Sequence, residues 1–150
     1  MKYPDARNIT YRIPVTEDFP AIIKLLSNCS LPASDISPDK QHLILAEHDG
    51  NIIGCAGIEA YGKVALFRSL AVSSKYRGLD IGKRLTGKGM ALALEKGIRE
   101  LYLLTTTADG FFKKQCWEVA DREDVPTDVA GSSEFATICP STAICMKYTF

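Results

Sequence analysis

Charge of one sign is missing from this sequence: 18 Lys and Arg are matched by 18 Asp and Glu. Without a basic field, nothing advertises nucleic acid as a partner. No apolar run approaches the roughly 20 residues of a membrane span, so no membrane partner is expected. The opening segment MKYPDARNIT has no apolar core like that of a signal peptide, and a cytoplasmic location is expected. Repeats, low-complexity runs, charged tails and an interdomain linker are also absent. One domain over residues 1–150 is therefore expected, large enough to bury a core. The remaining composition, 46% hydrophobic and 24% charged, is that of an ordinary soluble globule.

C-x-x-C pairs are missing too. The five cysteines, Cys29, Cys55, Cys116, Cys139 and Cys145, are scattered and odd in number, as reduced cytoplasmic thiols are. Cys139 and Cys145 flank Pro140 at poor zinc-finger spacing. The cysteines read as small buried hydrophobes, with a soft metal or metalloid site as the alternative; no metal is expected. His42 and His48 read as structural or solvated.

What is present alternates between strand-like and helix-like patterns. ITYRIPV, residues 9–15, suits an edge strand. Thr16, Glu17 and Asp18 can cap a helix in which Phe19, Ile22, Ile23, Leu25 and Leu26 follow a helical period. LPASDISPDK is turn-rich, a loop or a short helix. Two apolar strands around Asp49-Gly50-Asn51 make the clearest hairpin. Val64–Val72 is another strand. A helix follows from about 82 to 96, with Ile81, Leu85 and Leu92 on one face and Gly97 as its stop. ELYLLTTT is a buried strand, ADGFFKKQ a short helix and CWEVADRE a strand. SSEFATICPSTAICMKYTF supplies the last strand material. The order β-α-(α)-β-β-β-α-β-α-β-β predicts an α+β fold: a mixed, mostly antiparallel sheet with a parallel pair around the helix after residue 81.

Between the strand ending at Val72 and that helix stands Arg77-Gly78-Leu79-Asp80-Ile81-Gly82-Lys83. A Walker loop does not fit: Gly78 and Gly82 are one residue too close, and Arg84 follows Lys83 where Ser or Thr is required. A Rossmann fingerprint has another spacing and stands after a first strand. The remaining reading is a turn that wraps a pyrophosphate with backbone N–H groups at a helix N-terminus.

SLAVSSKYRGLDIGKRL resembles motif A of the GNAT N-acetyltransferases, with Arg77, Ile81 and Gly82 at the matching places and Gly78 as a common extra match. ADGFFKKQCW resembles that family's downstream helix through Ala108 and Phe111. The opening strand and helix, the hairpin and the C-terminal strand also fall where the family has them. Departures are Asp80 for glycine, Thr105 for asparagine, Phe112 for the tyrosine often used as general acid, and Cys116 and Trp117 for glycine and phenylalanine. RELYLLTTTADGFF and EFATICPSTAICM resemble the branch encoded with arsenic-resistance genes.

The resemblance implies a GNAT-like sheet with a central, splayed parallel strand pair and flanking helices, with acetyl-CoA as cosubstrate. Pantetheine would pair with backbone at Leu70, Ala71 and Val72, residues that read equally as core. The pyrophosphate would sit within Arg77, Gly78, Leu79, Asp80, Ile81, Gly82 and Lys83, otherwise a plain strand-to-helix connection. Thr105, Phe111 and Lys114 would border the cofactor; Phe111 is otherwise core packing and Lys114 a solvated lysine. The Leu70 N–H would donate to the oxyanion. Glu59 or Glu134 would act as base, or be a solvated or structural carboxylate. Tyr61, Tyr102 or water would protonate the thiolate, or it would leave unassisted. Arg68 would grip an acceptor carboxylate, or form an ion pair. Ser141 and Thr142 would line the pocket or turn the chain.

The expected activity is direct acetyl transfer to the primary amine of a small molecule, an amino acid or an analogue, arsenical and phosphinic ones included. Ping-pong transfer through Cys55 or Cys116 is the weaker route. The alternatives are a non-catalytic CoA-binding sensor or degenerate subunit, and a protein or peptide N-acetyltransferase. A homodimer is left open.

Overall fold

A computed structural model of the chain describes residues 8–138 and 142–150, and the side chains of all of these but 137 and 138. The chain runs β1 (Thr10–Arg12), α1 (Phe19–Asn28), β2 (His42–His48), β3 (Asn51–Tyr61), β4 (Val64–Val72), α2 (Ile81–Glu95), β5 (Glu100–Thr105), α3 (Asp109–Lys113), β6 (Glu118–Val119), α4 (Thr127–Ala130) and β7 (Ile144–Thr149). The strands form a seven-stranded sheet in the order β1-β2-β3-β4-β5-β7-β6. β4 and β5 are parallel; the pairs β1–β2, β2–β3, β5–β7 and β6–β7 are antiparallel. The β4–β5 register joins Val64 to Glu100 and Leu66 to Tyr102, while β4 continues to Val72 and β5 to Thr105.

Several elements are shorter than the sequence suggests. The first strand ends at Arg12, because Pro14 has no N–H for the ladder. LPASDISPDK forms turns and no helix. In α1, Ile22, Leu25 and Leu26 are buried while Ile23 is exposed. The hairpin turn is the dipeptide Asp49-Gly50, and Asn51 already belongs to β3. CWEVADRE contributes only the two residues of β6. The last strand begins at Ile144, and a single π-helical turn, Glu134–Ile138, precedes it.

Two compact units divide the chain. One comprises Met1–Ile58 and Ser69–Leu92, the other Glu59–Arg68 and Ala93–Phe150. In the first, Ile22, Leu25 and Leu26 of α1 pack with Leu43, Leu45, Cys55 and Ala71. A polar clasp ties the start of α1 to the sheet: Arg12 donates to both Asp18 oxygens at 2.7 and 2.9 Å and to Glu47 Oε2 at 2.8 Å. In the second, Leu66, Tyr102, Val129, Phe135 and Cys145 form one core. Phe67, Phe112, Trp117 and Tyr148 stack beside one another with centroids 5.6–6.1 Å apart.

Candidate functional site

In the first unit, the end of β4 departs from regular strand geometry. Ser69 has φ 63°, a left-handed value inside a strand, a kink of the kind a β-bulge makes just ahead of Leu70. Beyond Val72 the chain makes a 3-10 turn, Ser74–Tyr76. The Tyr76 hydroxyl shares a 2.7 Å hydrogen bond with His48 Nδ1, which ties this turn to β2; His48 is therefore structural. Gly78 then takes φ 84° and Asp80 φ 60°, and α2 begins at Ile81. A Cβ at Gly78 would meet nothing within 4 Å; the backbone angle is what glycine supplies there. Aspartate is among the few other residues that tolerate such angles, so Asp80 preserves a turn in which the motif it resembles has glycine.

The consequence is chemical. The first N–H groups of a helix have no partner within it and carry the positive end of the helix dipole. Residues 77–83 direct such a terminus, with Arg77 and Lys83 exposed on it, and a pyrophosphate fits that chemistry. Ile81 is buried and anchors the first turn of α2.

The second unit holds a charged group. The Arg68 side chain is fully buried, and its guanidinium lies 3.3 Å from Glu134 Oε2 and 3.7 Å from Glu59 Oε1. Glu59 and Glu134 are themselves 90% or more buried, so neither is a solvated surface carboxylate. Tyr61 donates its hydroxyl proton to Glu59 Oε2 at 2.5 Å. Burial first, and then this carboxylate, raise the Tyr61 pKa. One guanidinium thus holds two buried carboxylates, groups whose oxygens can accept a hydrogen bond or a proton.

Other expected residues fall elsewhere. Thr105 Oγ1 accepts from the Ala108 N–H at 2.9 Å and so organises the entry to α3. Phe111 is half-buried against Phe112, with centroids 5.1 Å apart, and Lys114 is exposed. Phe112 belongs to the aromatic core and has no proton to give. Tyr102 donates to Glu100 at 3.0 Å. Cys55 and Cys145 are buried as expected, Cys29 is half-buried, and Cys116 is exposed, contrary to its reading as a buried hydrophobe. Burial pushes the Cys55 thiol up to about 12, which removes it as a nucleophile. Cys139 and Ser141 lie outside the described residues; Thr142 is exposed. Among the described residues no three His, Cys, Asp or Glu side chains could hold a metal ion. Sequence reasoning missed the Ser69 bulge. The signal was the small pair Gly54-Cys55 inside an apolar strand, which marks a close approach of neighbouring backbone.

Residues 8–116 match the acetyltransferase (GNAT) family. The chain belongs to that family, which uses acetyl-CoA. An uncharacterized N-acetyltransferase of Chlorobaculum tepidum is 34% identical over 102 residues, 67% of this chain and 63% of that protein. Amino-acid acetyltransferases of Aeromonas salmonicida and Ralstonia nicotianae are 31% and 34% identical over 86 and 92 residues, 56% and 60% of this chain but 20% of each relative. The match thus spans less than two thirds of these relatives. Among solved structures, N-acetylglutamate synthase from Neisseria gonorrhoeae, complexed with coenzyme A and N-acetyl-glutamate, superposes over 94% of this chain and 35% of its own, with a TM-score of 0.78 at 20% identity. A Mycobacterium tuberculosis protein in complex with CoA gives the same TM-score at 18% identity, covering 94% of this chain and 99% of its own.

Proposed function

We propose that the 150 residues act as one N-acetyltransferase domain that moves an acetyl group from acetyl-CoA to the primary amine of a small molecule, an amino acid or amino-acid analogue. The observation that carries this is the segment from the Ser69 bulge to Ile81: a kinked β4 backbone, then left-handed Gly78 and Asp80, then the N-terminus of α2. Pyrophosphate oxygens accept from the backbone N–H groups of residues 77–83, with Arg77 and Lys83 adding charge. The Leu70 N–H donates to the oxygen that becomes negative as the amine adds to the thioester carbonyl. Glu59 or Glu134 takes the amine proton. The CoA thiolate is a good leaving group, and holding the reactants in position supplies much of the rate. Attack is direct.

The amino-acid class rests on the names of the relatives and on the two buried carboxylates, which can accept from an ammonium. Arg68 is engaged by Glu59 and Glu134, so in this reading it orients those carboxylates, and an acceptor carboxylate must compete with them for it. Arsenical and phosphinic glutamate analogues form the narrower acceptor class. A thiol-release assay with acetyl-CoA across free amino acids, these analogues, polyamines and aminoglycosides tests the proposal. Release that depends on an amino acid or analogue is expected. CoA binding without release by any amine would replace the enzyme with a CoA-binding module, and release with polyamines alone would overturn the acceptor class.

A further inference from the structure

The Ser69 bulge is held by a sulfur atom. Cys55, on β3 and fully buried, donates its thiol proton to the Ser69 carbonyl at 3.1 Å. The Ala71 backbone N–H is directed at the same sulfur. One thiol therefore joins the carbonyl before Leu70 to the amide after it. Burial keeps that thiol protonated across the neutral range, so the S–H remains a donor. A second thiol lies along the same stretch: Cys29, at the C-terminal end of α1, points Sγ at the Val72 carbonyl, 3.6 Å away. Gly54 completes the setting. A Cβ there would stand 3.1 Å from the Ala71 carbonyl oxygen, so the absence of a side chain lets β4 settle against β3 beside the thiol.

We infer that Cys55 is a positioning residue: its thiol locks the bulge at residues 69–71 and thereby fixes the direction of the Leu70 N–H. A left-handed serine inside a strand is uphill for a residue with a Cβ and persists where its surroundings over-determine it. The ladder cannot do that alone at a bulge, where the regular pairing is interrupted. The sulfur bonds both flanking peptide groups at once. The catalytic consequence, aim of the Leu70 N–H at the developing oxyanion, rests on the proposed function; the structural lock does not.

Hydrogen exchange of the Ala71 amide in the free protein, read by NMR, tests the lock without any acceptor. Cys55→Ala removes the thiol, Cys55→Val keeps bulk without a donor, and Cys55→Ser keeps a donor in a smaller atom. In the Ala and Val variants, exchange at the Ala71 amide, whose acceptor is removed, should speed up by about fivefold or more, the size of one lost hydrogen bond, while β2 amides keep their protection. Serine should restore most of it. In the thiol-release assay, Cys55→Ala should lower kcat about tenfold with the KM for acetyl-CoA within about twofold, as expected when a donor is mis-aimed at the transition state only. Unchanged exchange in both Ala and Val variants, or a serine variant as fast as alanine, overturns the inference. An enzyme that acetylates no amine overturns the proposed function instead, and the exchange result still decides the lock.

Discussion

Asp80 and Cys116 both hold left-handed backbone, at φ 60° and 71°, where the related motifs carry glycine. Their predicted responses to substitution differ because only Asp80 stands in the turn assigned to the pyrophosphate. In that assignment its carboxylate would lie near a ligand with two negative charges. Asp80→Asn keeps the tolerance for these angles and removes the charge, so acetyl-CoA should bind about two- to fivefold more tightly at low salt, the size of an exposed charge interaction. The gain should shrink as salt screens it. Calorimetric titration at two ionic strengths checks this, and weaker binding would mean that the carboxylate orders the turn. Cys116 is exposed, and its strain serves nothing in the proposed mechanism. A left-handed residue with a Cβ costs roughly 1–2 kcal/mol, of which glycine's greater unfolded-state entropy returns a part. Cys116→Gly should therefore stabilise the protein by about 0.5–1 kcal/mol, seen as a higher urea midpoint at unchanged m-value.

Two contacts between elements carry consequences of the same kind. Leu85 of α2 and the Ala71 carbonyl of β4 both close on Gly54, where an added Cβ would stand 2.8 and 3.1 Å from them. The Leu85 methyl can yield; the backbone oxygen cannot without moving the strand. Gly54→Ala should destabilise by roughly 1–3 kcal/mol, the range for overpacking, and weaken acetyl-CoA as the bulge and α2 shift together. Measuring both quantities on one variant checks that they are coupled; full stability and affinity would refute the close approach. Elsewhere in the first unit, the Arg12 guanidinium, and then the Val15 amide, hold Asp18 down at about 2 from its ordinary 3.8. A depressed carboxylate stabilises the fold fully above its unfolded pKa, and that contribution fades as pH falls toward the folded value. Asp18→Asn should thus lower Tm at pH 7, and the gap to the parent should close between about pH 4 and 2. A gap independent of pH would locate the effect in packing.

At the scale of the molecule, the features legible in the sequence are those set by neighbours along the chain. The hairpin at Asp49-Gly50, β4 over its full length, α2 to within a residue at either end, and the turn opening at Arg77 are of this kind. The place of β7 between β5 and β6 depends on pairing across long separations, which no local pattern encodes. So does the meeting of Arg68 with Glu134, 66 positions apart in the chain. The Ser69 bulge was hidden because serine does not announce a left-handed angle as glycine does. The ligand, by contrast, acts on the fold as a whole, since anything that binds the native state alone stabilises it by mass action. At about 100 times Kd, acetyl-CoA should add roughly 2.7 kcal/mol, a Tm increase of roughly 5–10 °C for a domain of this length. CoA should act similarly, because the pyrophosphate and pantetheine are shared. ATP, which lacks the pantetheine arm that would pair with β4, should shift Tm far less. Gly82→Glu sets a carboxylate in the first turn of α2, where the helix dipole favours it but the pyrophosphate does not. The variant should keep the parent Tm without ligand and lose the acetyl-CoA shift. Differential scanning calorimetry of both proteins with the three ligands checks this. An equal shift by ATP, or one that survives Gly82→Glu, would move the cofactor away from residues 77–83 and take the mechanism proposed for Leu70 with it.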